Sequence, residues 1–89
     1  MSSKRNPNLV TAQILEVCTD GAGKTSVIYQ VNLNSTTGTQ YLNNLTINGL
    51  IDAIPDGSRF VYKTTPKGQE LKERLEQFKS MMDHLYSRA

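Results

Sequence analysis

A chain of 89 residues makes one small domain, and 37% hydrophobic content without tryptophan leaves a modest core that a second chain is expected to supplement. A net charge of +2 permits a nucleic-acid partner without announcing one. No apolar run reaches bilayer length, no signal-peptide pattern follows Met1-Ser2-Ser3-Lys4-Arg5, and a single cysteine excludes an internal disulfide; a cytoplasmic protein with no membrane partner is expected.

Residues 1–6 read as a flexible basic arm carrying Lys4 and Arg5. Asn6-Pro7 then starts a helix, with proline in the first turn where its missing N–H costs nothing. Val10, Ile14, Val17 and Cys18 share one face, joined by Leu15, and Asp20-Gly21 ends the segment. A second, short helix over Lys24 to Val31 buries Val27, Ile28 and Val31. Asn32 suits a left-handed exit, and Asn34 or Ser35 suits the next N-cap.

The third helix is predicted over Ser35 to Asn48, with Tyr41, Leu42 and Leu45 apolar and Gly49 as its stop. Leu50 to Ile54 and Arg59 to Thr64 read as strands joined by the turn Pro55-Asp56-Gly57-Ser58. In the second strand Phe60 and Tyr62 alternate with Arg59, Val61 and Lys63, so one face is aromatic and the other charged. Thr65-Pro66 opens a last helix, which at 1.5 Å per residue would run about 36 Å to Ala89. Along it Leu71, Leu75, Phe78, Met82 and Leu85 follow at heptad spacing, the second half exceeding what so small a domain can cover. This row is the expected homodimer interface. Glu70 with Arg74, Lys72 with Glu76, and Lys79 with Asp83 support the helix at i,i+4.

The fold class is α+β, mainly α. Three helices, a two-stranded hairpin and a long C-terminal dimerisation helix, in this order, form the skeleton of a winged helix-turn-helix. The expected parts are the arm at 1–6, the domain at 7–65 and a coiled-coil helix at 66–89.

Gly21-Ala22-Gly23-Lys24-Thr25 resembles a phosphate-binding loop, but that loop needs a further glycine where Cys18 stands and a strand before it. It is read as an inter-helix turn, with Lys24 and Thr25 placed to meet a DNA phosphate. On the third helix Ser35, Thr36, Thr39, Gln40 and Asn43 lie opposite the apolar positions. Ordinary solvent faces are rich in Lys and Glu, whereas Gln and Asn can pair with adenine and Thr with the thymine methyl, so this face is expected to meet DNA. Phosphate affinity would come from Lys4, Arg5, Lys24, Arg59 and Lys63. Cys18 reads as core. A single histidine, His84, and scattered carboxylates form no catalytic or metal-ligating cluster, so no enzyme and no cofactor or metal is expected; any small-molecule ligand stays open.

Lys24-Thr25 through Tyr29, Asn32-Leu33-Asn34, Tyr41-Leu42, Leu45, Gly49-Leu50-Ile51 and Tyr62-Lys63-Thr64-Thr65-Pro66-Lys67-Gly68 together resemble the archaeal winged-helix DNA-binding proteins. That family includes small chromatin-associated proteins that dimerise through a C-terminal antiparallel coiled coil. The resemblance covers Leu9 to Tyr86 and implies a homodimer on double-stranded DNA, a transcription regulator or a nucleoid-associated architectural protein. Two departures stand out. Gly38 replaces an aliphatic residue such proteins usually bury, which is expected to loosen or shift the third helix. The third helix also lacks lysine, which favours a regulator over bulk packaging. A winged-helix module that docks on protein is the alternative.

Overall fold

The computed structural model describes residues 6–87. Their order is α1 (Pro7–Val17), β1 (Ala22–Gly23), α2 (Lys24–Val31), α3 (Ser35–Ile47), β2 (Ile51–Asp56), β3 (Arg59–Thr64) and α4 (Pro66–Ser87). Lys4 and Arg5, assigned above to a basic arm, lie outside the described residues.

Local chemistry sets the helix limits. The Asn8 N–H donates to Asn6 Oδ1 at 2.8 Å, and the Thr37 N–H to Asn34 Oδ1 at 2.7 Å, so asparagine caps both α1 and α3. Asn32 adopts φ 62° and Gly49 φ 76°. After each, the chain closes the same paired bonds: Leu33 N–H to the Ile28 carbonyl with Asn32 N–H to Tyr29, and Leu50 N–H to Leu45 with Gly49 N–H to Thr46. Both helices therefore end in a Schellman motif.

The sheet has three strands, not the expected two, in the order β1-β3-β2 and antiparallel throughout. Ala22 and Gly23, read above as part of a turn, pair with Tyr62 and Val61. Two residues are too few to show any alternation in sequence. The hairpin turn is also tighter than expected. Pro55 and Asp56 belong to β2, opposite Phe60 and Arg59, and only Gly57-Ser58 is left as the loop, with Gly57 at φ 66°. Proline is tolerated because β2 is an edge strand, where a missing N–H need not break a ladder.

Val10, Ile14, Leu15 and Cys18 from α1, Val27 and Val31 from α2, Leu42 and Leu45 from α3, and Ile51 from β2 form the core. Thr64 is the buried polar residue among them. Its hydroxyl donates to the Leu15 carbonyl at 2.7 Å and its N–H to the Cys18 carbonyl at 3.0 Å, which ties the end of β3 to the end of α1. Lys72 reaches across to Glu16 on α1 at 2.8 Å instead of pairing along its own helix with Glu76; the i,i+4 pairs Glu70–Arg74 and Lys79–Asp83 form as expected.

Two glycines are close-approach points. A Cβ at Gly38 would lie 2.5 Å from Ile28 Cγ1, so the isoleucine fills the place where a larger side chain was expected, and α3 is seated directly against α2. A Cβ at Gly68 would collide with the Leu50 carbonyl oxygen and lie 2.7 Å from Thr64 Cγ2. Backbone cannot yield as a side-chain tip does. Gly68→Ala should therefore lower stability by about 1–3 kcal/mol, the usual cost of overpacking, read as a lower urea midpoint at unchanged slope.

Candidate nucleic-acid interface

The outward face of α3 is built almost wholly from hydroxyls and amides. Ser35, Thr36, Gln40 and Asn43 are exposed and Thr39 is half-buried, while Leu42 and Leu45 anchor the opposite side. The expected face thus forms, and it carries one addition: Ile47, at the last position of α3, is 80% exposed. The helix is held firmly at both ends, by the Asn34 cap and by Lys67, whose Nζ donates to the Asn48 carbonyl at 3.0 Å. A cation at a helix C-terminus also complements the dipole.

Lys24 and Thr25 stand in the first turn of α2, exposed. Arg59 stands at the start of β3, and these residues line one cleft of about 840 Å³ together with Tyr29, Phe60 and Tyr62. Sequence reading named the cations and missed that they share a cleft, because β1 draws the α2 N-terminus alongside β3 and β1 left no periodic signal.

Lys63 lies one register pair before the buried end of the hairpin. Across the ladder it faces Asp52, and Arg59 faces Asp56. Neither makes an ion pair among the described residues. The carboxylates nevertheless dilute the field of the hairpin, which is less basic than β3 alone suggests.

The winged helix-turn-helix family model matches residues 4–83. The chain belongs to the winged helix-turn-helix family. Sso10a-2, a DNA-binding protein from Sulfolobus solfataricus, is similar at 30% identity with a TM-score of 0.88, over 93% of this chain and 87% of that one. The PcaV transcriptional regulator from Streptomyces coelicolor shares the fold at 22% identity and TM-score 0.77, over 96% of this chain and 62% of its own. The transcriptional regulator BldR from Sulfolobus solfataricus does so at 15% and 0.78, over 91% and 62%. This chain therefore spans less than two thirds of the two regulators. A search of curated proteins by sequence gave no match.

In winged-helix terms α2 and α3 are the helix-turn-helix and β2-β3 the wing. The long helix that follows has two halves. Leu71 packs against the core and Leu75 is half-buried, whereas Phe78 is 53% and Leu85 60% exposed with Met82 half-buried between them. Met81 and Tyr86, which the heptad reading passed over, are also largely exposed.

Cys18 is fully buried, and burial pushes its thiol from 9.0 up to about 11. Such a thiol is a poor nucleophile. No helix among the described residues is long and apolar enough to cross a membrane. Because the folded state holds the Cys18 proton more tightly, the stability that depends on it is complete below pH 9 and is lost as pH rises through about 11. Urea midpoints of the wild type should fall faster across this window than those of Cys18→Ala, and native protein should resist iodoacetamide at neutral pH while urea-unfolded protein reacts.

Proposed function

We propose that this protein is a homodimeric DNA-binding regulator that reads the major groove with α3. The observation that carries the reading is the exposed row Ser35, Thr36, Gln40 and Asn43, with Thr39 beside it, on a helix whose other face is locked into the core. Such side chains offer donors, acceptors and methyls to base edges and carry no charge to hold phosphate. Lys24 and Thr25 on α2 and Arg59 and Lys63 on the wing then hold the backbone on either side, helped by Lys4 and Arg5 ahead of α1. The fold of Sso10a-2, a DNA-binding protein, supports the assignment.

A second copy covers the outer half of α4 in this reading. Phe78, Met82 and Leu85, with Met81 beside them, form an apolar row, and the flanking charges Glu70–Arg74 and Lys79–Asp83 are already paired within the helix. Leu71 and Leu75 continue the row into the domain. Two α3 helices presented by such a dimer would occupy half-sites about 34 Å apart or a multiple of it. Regulation is then steric occupation of the site, with no chemistry performed, in the cytoplasm and on the nucleoid. Absence of lysine from α3 favours this over an architectural packaging role.

Docking on protein is the one competing reading that an observation favours, because Asp52 and Asp56 oppose the wing cations. Anisotropy titrations of random-sequence duplex DNA across a salt series separate the two. The regulator reading expects binding whose log–log salt slope is about 0.9 per phosphate contact; a flat baseline at low salt would favour docking on protein. Reversing the wing charges would set carboxylates opposite Asp52 and Asp56 and weaken the hairpin itself, so neutral variants are the cleaner probe. Arg59→Gln with Lys63→Gln should weaken duplex binding and flatten the slope by about two contacts, with the dimer intact. An unchanged slope would remove the wing from the interface.

Phe78→Asp with Met82→Asp should give a folded monomer by sedimentation equilibrium, since burying a carboxylate in an apolar seam is costly and the exposed outer half of α4 tolerates it in a single copy. A dimer that survives both places the interface elsewhere.

A further inference from the structure

The cleft between α2 and the wing holds more aromatic surface than phosphate contact requires. Tyr29 is 84% exposed and Phe60 50% exposed, and Tyr62 is half-buried between the strands beside them. Side chains of this size normally bury most of their area. Here the rings line the same cleft as Lys24 and Arg59, neither of which is ion-paired among the described residues. The cleft, at about 840 Å³, falls within the range of small-ligand sites. The first turn of α2 opens into it without a capping side chain, whereas Asn6, Asn34 and Thr65 cap the other three helices.

We infer that the cleft between α2 and β3 binds an unpaired nucleotide, its base stacked on Tyr29 or Phe60 and its phosphate held by Lys24 and Arg59. The chemistry is that of single-strand sites, where a cationic groove follows the backbone and rings take successive bases irrespective of sequence. A base inside a duplex exposes only its edges in the grooves, so full stacking on these rings is open only to a base that has left the stack. The cations are shared with the proposed duplex contact, but the rings are not, so the rings discriminate. The site depends on the assignment of Lys24 and Arg59 as phosphate ligands and is independent of base reading by α3.

The test is a pair of anisotropy titrations on the full chain, one with a labelled oligothymidylate and one with random duplex. Tyr29→Leu and Phe60→Leu keep apolar bulk on an exposed surface and remove the π-face; circular dichroism checks that both stay folded. Oligothymidylate affinity should fall about five- to hundredfold for each ring that carries a base, Tyr29→Phe should restore it at that position, and duplex affinity should stay within about twofold of wild type. Competition by thymidine monophosphate then tells the source of the nucleotide. Displacement of the oligomer at concentrations near those of its own nucleotide units assigns a free nucleotide, and failure to displace assigns a strand. Absence of oligothymidylate binding by the wild type, or binding indifferent to loss of both rings, overturns the inference. Duplex binding is read separately, so the wing and α3 assignments stand or fall on their own titration.

Discussion

The first, third and fourth helices and the base of the wing meet at Thr64 and Thr65. The Thr64 N–H and hydroxyl bond to the carbonyls of Cys18 and Leu15, which fixes the end of β3 to the end of α1. One residue on, the Thr65 N–H bonds to the Leu50 carbonyl, its hydroxyl donates to the Gly49 carbonyl, and the same oxygen accepts the Gly68 N–H. Two side chains thus bind the C-termini of α1 and α3, the base of the wing and the first turn of α4. Thr65 is at once the N-cap of α4 and a donor to the exit of α3, and Thr64 pairs with carbonyls at the end of α1, so no buried side-chain polar atom at the junction is left without a partner. Gly68 completes the junction, since only a residue without Cβ lets α4 lie on the Leu50 carbonyl.

The junction has a functional consequence. The helix proposed to offer its polar face to DNA and the helix proposed to offer its apolar face to a second copy are joined through Gly49, Thr65 and the Lys67–Asn48 bond. A dimer formed on α4 would therefore fix the spacing and angle of both α3 helices with little hinge between them. Such preorganisation matters for a face of uncharged side chains. Hydrogen bonds to base edges give little affinity unless the donors arrive in register, because each misplaced polar group is desolvated without a partner.

Much of this was legible in the sequence because the signals were local and redundant. Asn6-Pro7, Asn32, Asn34, Gly49 and Thr65-Pro66 are capping residues whose chemistry acts within five positions, and the apolar periodicity of α1 and α4 spans several turns. The outward face of α3 was legible for the same reason, since Leu42 and Leu45 fix the opposite side. What failed were features set by distant pairing. The two-residue β1 exists only because β3 lies beside it; Lys72 turns to Glu16, 56 positions away, in preference to Glu76 on its own helix. The outcome at Gly38 belongs with these. In sequence it looks like a missing aliphatic side chain, and in the fold Ile28 from the neighbouring helix supplies the atoms.

The same distinction separates the charges from the site they make. Lys24 and Arg59 are 35 positions apart and carry no shared motif; Tyr29 falls outside the apolar set Val27, Ile28 and Val31 of its helix, and Phe60 marks only the aromatic face of a strand. β1 converts them into one cleft by drawing the first turn of α2 against β3. The stretch Gly-Ala-Gly-Lys-Thr fails as a nucleoside-triphosphate loop because the sheet around it is antiparallel throughout and Cys18 stands where glycine is required. Its glycines serve other ends. Gly21 takes φ 97° against Val61, and Gly23 opens α2 without a side chain over the cleft. A capping hydroxyl at position 23 would satisfy an α2 amide from within the chain, and a Cβ there would meet no atom within 4 Å, so the fold itself does not demand glycine for space. Glycine at that position leaves the first-turn amides without a side-chain partner, open to the nucleotide phosphate inferred above.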